Sequence, residues 1–421
     1  MSVRFGTIKD VYDYLDSIPM FGKKGASAAN FSLDTIRNFC EEMGNPQNDF
    51  KSVHVAGTNG KGTTCRMLAS IFQSAGYTTG LFTSPHLIDF RERITVDTEW
   101  IPEAALLDFF QQHDELLSET ALTYFELTCA ICFWYFSHTG VDVAVVETGL
   151  GGRLDATNII HPIATAITSI GMDHADILGN SIEDIAAEKA GIIKENVPVI
   201  TGTLSGAAMD VIANTAVEKQ APHIPAGIDD RDSARVNGVL TGKADRLTLA
   251  ERLNSPVVKM LIDSVQTQLS VPPEAVKEGF ECWKQRYPNG AGFKKIHPDF
   301  DWYFDGAHNE EAVALLIDQL EEIAPLDRWT LVFTMMSDKM SPDTLSHFNN
   351  VRSVYYYPLN TPRAATVNQV YNELPNVGIL NAEETLPDLW VQKYKSELVI
   401  FGGSFYFYET LMRWMGNIVD Q

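Results

Sequence analysis

The stretch VHVAGTNGKGTT, residues 53–64, sets Gly57, Gly60 and Gly62 around Lys61, with Thr58, Asn59 and Thr63 beside them. A glycine-rich turn between a strand and a helix aims several backbone N–H groups at one point, and the helix dipole adds positive potential there. The glycines let the backbone approach a phosphate. Lys61 has the length to reach its outer oxygens, and Thr63 a metal ion or phosphate oxygen. The spacing is not that of the usual phosphate loop, because the position five before Gly60 is Val55. Glu147 closes the apolar run VDVAVVE, and an acid at such a strand end is placed to hold Mg²⁺ against nucleotide oxygens. His174, in GMDH, follows the next apolar run. Arg153, in GGRLDATN, has the fork to grip a carboxylate or phosphate with two hydrogen bonds. Lys189 stands in AAEKAGII, an unusually apolar setting for a lysine, which favours burial and a lowered pKa.

These residues need elements to hold them. FKSVHVAG reads as a strand running into the glycine turn. GTTCRMLASIFQSAG reads as the helix that follows, with Met67, Leu68, Ile71 and Phe72 on one side. VDVAVVET and IATAITSI are continuous apolar runs, as expected of strands covered on both faces. SIEDIAAEKAGIIK is a helix opened by Ser181 with Asp184 three residues on, and VPVITG is a further strand. Past residue 203 the pattern weakens, and KQAPHIPAGIDDRDSARVNGVLTGKADR reads as irregular and turn-rich. VVKMLIDSVQTQLS restores a helix. A second run then follows: strand DWYFDGA, helix EEAVALLIDQLEEI, strands WTLVFTMM, VYYYPL and ELVIFG, and helix YFYETLMRWMG. The alternation predicts an α/β protein with a mostly parallel sheet in an N-terminal phosphate-loop domain, 1–283, and a smaller Rossmann-like α/β domain, 294–421. The linker is KQRYPNGAGF, 284–293, with Pro288, Gly290 and Gly292.

Bulk properties narrow the field. The chain has 421 residues, 45% hydrophobic and 21% charged, with a net charge of −23. That argues against a nucleic-acid partner, which would want a basic face. No apolar run of about 18 residues is present, so no membrane span is expected, and the first residues lack the apolar segment of a secretory leader. The five cysteines are scattered and odd in number, which fits a reducing cytoplasm. Cys129 and Cys132 form a CxxC inside ELTCAICFWYF, with no second pair to complete a zinc site. They read as a buried helix face.

AGTNGKGT resembles the ATP loop of the Mur-ligase superfamily, in the Gly-Lys-Gly form of folylpolyglutamate and dihydrofolate synthases. GLFTSPHLIDFRERI, LTYFELT, VETGLGGRLDATN, TSIGMDHADILGNSIEDIAAEKAGIIK and DGAHN follow in that family's order, densely from about residue 10 to 203 and in patches thereafter. The resemblance implies an enzyme that uses ATP to convert a carboxylate to an acyl phosphate, which the amine of L-glutamate then attacks. It implies two Mg²⁺ sites, with Ser84 and Glu147 as ligands of one and His174 as a ligand of the other. It implies that Lys189 is carbamylated and supports the second metal, and it extends to K⁺ as a further ion. The loop from Gly57 to Thr63, with Asn254, Asp305 and His308, is implied to bind ATP, the last two approaching the ribose and phosphates. Thr123, Phe125, Glu126, Arg153, Leu154 and Asp155 match positions near the pterin substrate. TSPHLIDFRERI matches a mobile loop, although its Arg91 and Arg93 also read as surface charges. The expected partners are folate or pterin, L-glutamate and ATP, for a cytoplasmic monomer.

Two departures stand out. The family's Gly-Arg-x-Glu before DGAHN is here NGAGFKK, with Gly292 in place of the ATP-contacting arginine. Arg286, Lys294 and Lys295 are the candidate replacements. The segment from about 204 to 250 also lacks several strands that the family has before the Asn254 motif. Two other readings stay open at this point. One is a ligase acting on a cell-wall nucleotide peptide, against which Gly-Lys-Gly and SPHL stand. The other is a non-catalytic nucleotide-binding paralogue, suggested by the missing arginine.

Overall fold

The computed structural model describes residues 4–19, 32–226, 247–382 and 385–419. The chain divides into two compact units, Met1–Leu247 with Glu251–Pro288, and Thr248–Ala250 with Asn289–Gln421.

The first unit is built on an eight-stranded sheet. Its strands are β1 (Lys51–Ala56), β2 (Thr79–Phe82), β3 (Ile94–Val96), β4 (Glu99–Trp100), β5 (Val143–Glu147), β6 (Ala164–Ile167), β7 (Val199–Thr201) and β8 (His223–Pro225). Their order is β4-β3-β2-β5-β1-β6-β7-β8, parallel from β2 to β8, with β3 and β4 antiparallel at one edge. The principal helices are α1 (Lys61–Ser74), α2 (Tyr124–Thr139), α3 (Ile182–Ala190), α4 (Leu249–Val265) and α5 (Pro273–Arg286). Alternation along β5 divides the core. Val143 and Val145 join Met67, Leu68, Ile71 and Phe72 of α1 on one face, while Ala144 and Val146 join Cys129, Cys132 and Phe133 of α2 on the other. Both faces are thus covered, which is why β5 reads as an unbroken apolar run. The four apolar side chains of α1 are fully buried, at about 1.5–3 kcal/mol each. That packing, rather than any side-chain cap, holds the start of α1 at the end of β1.

β1 pairs with β5 on one side and β6 on the other; the chain leaves β1 towards β2 on the β5 side, and after β5 it crosses to β6 on the opposite side. Such a switch point leaves a crevice beyond the carboxyl ends of the strands. Glu147 is in register with Val55, two residues before the glycine turn.

Some elements differ from expectation. Within KQAPHIPAGIDD the residues His223–Pro225 form β8, paired parallel to β7. It is a three-residue edge strand ending in proline, too short and polar to show as a period-two pattern. Residues 227–246, the rest of that turn-rich stretch, lie outside the described residues. Helices Gly206–Glu218 and Pro273–Arg286 were not evident from the sequence. The former opens on a Ser205 cap, and the latter has its proline in the first turn, where the missing N–H does no harm. Cys129 and Cys132 sit unpaired and buried on α2, as their apolar surroundings suggested. Among the described residues no helix is long and apolar enough to cross a membrane.

The second unit has a six-stranded sheet of β9 (Lys294–Lys295), β10 (Trp302–Asp305), β11 (Trp329–Phe333), β12 (Ser353–Tyr356), β13 (Gly378–Ile379) and β14 (Leu398–Gly402), in the order β13-β12-β11-β14-β10-β9. All pairs are parallel except β9 with β10. Helices α6 (Glu310–Ile323) and α9 (Phe407–Val419) match the predicted segments, and α7 (Val367–Glu373) and α8 (Asp388–Tyr394) are additional.

Candidate active site

The glycine turn is held open from behind by the loop after β6. Thr58 N donates to Ser169 O (2.8 Å), Asn59 N to Ser169 Oγ (2.9 Å), Thr168 Oγ1 to Asn59 O (2.6 Å) and Gly171 N to Thr58 Oγ1 (3.0 Å). Gly60 begins α1 with φ of +87°, and a Cβ there would overlap the buried amide of Asn254 on α4. Asn254 therefore lies directly against the turn, although its sequence neighbourhood fits the family poorly. Gly60→Ala is expected to weaken nucleotide binding about 5- to 30-fold, since the left-handed backbone alone costs a side chain about 1–2 kcal/mol. Isothermal titration calorimetry checks this; unchanged affinity would mean that the turn relaxes freely.

Two amines converge on one carbonyl of this turn. Lys61 Nζ donates to Gly57 O (3.0 Å) and Thr58 O (3.2 Å), and Lys189 Nζ donates to the same Gly57 O (2.9 Å). Lys189 comes from the last turn of α3 and is only 3% exposed. Burial, aided by the charge of Lys61 and opposed by Asp173 and Asp155, pushes its pKa down to about 7. Thr63 is half-buried in the first turn of α1.

Glu147 is 3% exposed at the end of β5 and accepts the backbone N–H of Ser84 at 3.2 Å. Burial raises its pKa, against the positive charges of Lys61 and Arg66. Ser84 is the second residue of the TSPHLIDFRERI loop, which is closed on itself. The Glu92 carboxylate accepts the N–H groups of Leu87, Ile88 and Asp89 at 2.9–3.0 Å. Arg91 pairs with Asp89 (2.7 Å). Arg93 is no surface charge: it is buried, donates to His86 Nδ1 (2.8 Å) and lies over the Tyr124 ring. His174 follows the loop stapled to the glycine turn and has a left-handed φ of +51°. The side chain of Asp173 accepts the His174 N–H at 2.8 Å. A histidine tolerates this conformation better than most residues, and such strain gathers at functional positions.

The residues matched to the substrate side divide into two kinds. Phe125 stands over Gly149 and next to Phe82, half-buried at the edge of the core. Arg153 is exposed and donates through Nε (3.1 Å) and Nη2 (2.7 Å) to Glu188. Leu154 is half-buried beside it. Thr123 and Glu126, by contrast, form the reciprocal cap of α2. Asp155 is committed to its own loop, accepting from Gly149 N, Leu150 N (2.8 Å each) and Thr157 N and Oγ1. Thr157 Oγ1 also receives His54 Nε2–H from β1 at 2.8 Å. His54 is buried and its pKa pushed down to about 3, so it is the neutral donor at the head of this chain. In the second unit, Asp305 ends β10 and its carboxylate accepts Ala307 N (2.7 Å), while His308 Nδ1–H donates to Gly306 O (2.9 Å).

Two family descriptions match the chain: "Mur ligase middle domain" over residues 55–249 and "Mur ligase, glutamate ligase domain" over residues 293–405. The dihydrofolate synthase/folylpolyglutamate synthase of Bacillus subtilis is 32% identical, over 90% of this chain and 94% of its own length. The chain belongs to the dihydrofolate synthase/folylpolyglutamate synthase family of Mur ligases. Solved structures of this family are similar throughout. E. coli FolC in complex with DHPP and ADP has a TM-score of 0.82 at 27% identity, covering 100% of this chain and 99% of its own. A bifunctional folylpolyglutamate synthase/dihydrofolate synthase with Mn, AMPPNP and L-glutamate bound has a TM-score of 0.78 at 25% identity, covering 96% and 97%.

Each of the three cations that the sequence offers to replace an arginine at Gly292 has another partner. Arg286 donates to Ser70 O (2.8 Å) and Ser74 Oγ (2.6 Å) on α1 and to Glu278 (2.8 Å). Lys294 lies over the Tyr408 ring at 4.2 Å, and Lys295 pairs with Asp301 at 3.1 Å. Arg66, which sequence reasoning passed over, acts on Glu147 from α1. Its signal was a lone charge within the apolar CRMLASIF.

Proposed function

We propose that this protein is an ATP- and Mg²⁺-dependent ligase that joins L-glutamate to dihydropteroate, to folylpolyglutamate, or to both, through an acyl phosphate. The observation that carries the reading is the meeting of Lys61 and Lys189 at Gly57 O, beside a buried Glu147 at the open end of a parallel sheet.

The donor chemistry suits a Mg²⁺ ion. Among the described residues no three His, Cys, Asp or Glu side chains gather to cage a metal. Mg²⁺ prefers one or two carboxylates together with water and substrate phosphates, and Glu147 with the Ser84 hydroxyl offers that kind of partial shell. His174 is the candidate ligand for a second ion. When bound, Mg²⁺ supplies charge neutralisation for the phosphates.

The chain's own residues carry the rest. Backbone N–H groups at the start of α1 cradle the phosphates, and Lys61 exchanges its two carbonyl acceptors for the transferring phosphoryl group. A substrate carboxylate oxygen attacks the γ-phosphorus, and the bond to the ADP oxygen breaks. The neutral amine of glutamate then attacks the acyl carbon; the carbon–oxygen bond to phosphate breaks, and the amine proton is lost to solvent. Phe125 offers an apolar face for a pterin. Arg153 offers a guanidinium for a carboxylate. The Lys189 amine, partly neutral near pH 7, forms an N–C bond to CO₂ and loses a proton to solvent, giving a carbamate that replaces a cation beside the metal position with an anion.

The test follows ADP in mixtures of the protein with dihydropteroate or tetrahydrofolate, L-glutamate, Mg²⁺ and ATP. ADP release that depends on both glutamate and one of the pterins is expected. None with either pterin overturns the reading, and ATP binding without turnover would mark a nucleotide-binding paralogue.

A further inference from the structure

Asn158 takes no part in the chemistry above, yet it joins two segments, its own loop and the stretch just past α3. It ends the loop 149–158 that follows β5, and it is buried. Its amide Nδ2 donates both to Arg153 O (3.1 Å), within the loop, and to Gly191 O (2.9 Å), just past the end of α3. Its own carbonyl and Oδ1 accept the ammonium of Lys194 at 2.9 and 2.8 Å. Both amide N–H donors and one lone pair of Oδ1 are thereby engaged, on two sides.

The same loop covers the end of the helix. Arg153 N donates to Glu188 O at 2.7 Å, so a carbonyl in the last turn of α3 is satisfied from outside the helix. Gly191 lies so close that a Cβ there would overlap the Arg153 backbone. The same loop is tied to β1 through Asp155, Thr157 and His54. The strand that leads into the glycine turn and the helix that carries Lys189 are therefore braced by one loop. Lys189 lies two residues before Gly191, and its amine must meet Gly57 O at hydrogen-bond length.

We propose that Asn158 is a positioning residue for Lys189, clamping the loop 149–158 onto the end of α3 so that the buried amine is held at Gly57 O. The role of Lys189 itself rests on the ligase reading above; the clamp does not.

Asn158→Asp tests it. The variant keeps both acceptors for Lys194 but turns the two amide donors into an acceptor facing two carbonyls. Two readouts on the full-length protein separate the questions. In the parent, limiting acetic anhydride followed by peptide mass spectrometry is expected to leave Lys189 unmodified; in the variant Lys189 is expected to be acetylated. Glutamate-dependent kcat is expected to fall about 10- to 100-fold, the usual effect of removing a supporting hydrogen bond, with KM for ATP unchanged within about threefold. A general loosening of the fold would move both constants. Thermal melting shows whether the variant is folded; should it not melt cooperatively, Asn158→Gln, which displaces the same amide by one methylene, carries both measurements. Lys189 staying protected in a folded variant overturns the clamp. Acetylation of Lys189 with unchanged kcat supports the clamp and instead removes Lys189 from the reaction.

Discussion

Lys61→Met is expected to lower kcat/KM for ATP about a thousandfold, the upper range for loss of one preorganised donor to a developing charge. The ammonium rests on Gly57 O and Thr58 O, two carbonyls of the turn that would surround a phosphate. Among the described residues no carboxylate stands at hydrogen-bond length from it, so it exchanges neutral acceptors for phosphate oxygens, a gain for a charged donor. Methionine matches its length and leaves the half-buried stem in place, so the fold should be little affected. The electrostatic consequence runs further. Lys61 is one of the charges that restrain the rise of the Glu147 pKa, and it is also one that lowers the pKa of Lys189. Without it, Glu147 protonates more readily and Lys189 less readily gives up its proton, so both changes oppose cation binding. ADP release measured over a range of ATP concentrations, alongside a thermal melt, checks this. A folded variant within tenfold of the parent would mean that backbone N–H groups alone carry the phosphate.

Lys189→Met is expected to act in opposite directions on activity and stability. Glutamate-dependent turnover should fall at least about a hundredfold, because the amine proposed to form the carbamate is gone. The melting temperature should rise. In the folded protein the amine titrates near 7, below its ordinary 10.5, because burial disfavours the charged form. Between those two values the unfolded chain binds more protons, so this group makes stability increase with pH across that window. At and below pH 7 the native state carries the full penalty of a buried amine, and above the ordinary lysine value none. With CO₂ excluded, so that the parent carries the free amine, removing it should therefore stabilise the protein by roughly 2–4 kcal/mol near pH 7, after loss of the bond to Gly57 O, and progressively less towards pH 10. Calorimetric melts at pH 6 and 9 read the difference, and a gain that grows with pH would contradict it. In the parent, carbamylation needs the neutral amine, so activity should rise with pH through about 7 at fixed CO₂ and fall when CO₂ is stripped. Carbon-13 spectra with labelled bicarbonate should show one carbamate signal in the parent and none in the variant.

The sequence pattern was most legible where strands are covered on both faces. VDVAVVE and IATAI could hardly be anything but buried parallel strands, and the helix over 310–323 coincides with its apolar period and its Asn309 cap. Legibility failed where an element owes its existence to a neighbour. β8 is three residues that pair with β7 at an edge, and β9 and β13 are two residues each. No local periodicity can develop over such lengths. Arg93 illustrates the same limit for a side chain. Within RERI it is indistinguishable from a solvated charge, and only the packing of His86 and Tyr124 around it makes it a buried one.

Residue type and spacing alone were sufficient for the glycine turn, for the strand-end position of Glu147 and for the apolar setting of Lys189, because each depends on neighbours within a few positions along the chain. They could not reveal that Lys61 and Lys189 share one acceptor, that Asn254 lies against Gly60, or that Asp155 bonds within its own loop rather than pointing outward. Those contacts join segments separated by up to about two hundred residues, and they arise from strand order: β1 lies between β5 and β6, so three loops distant in sequence emerge at adjacent strand ends.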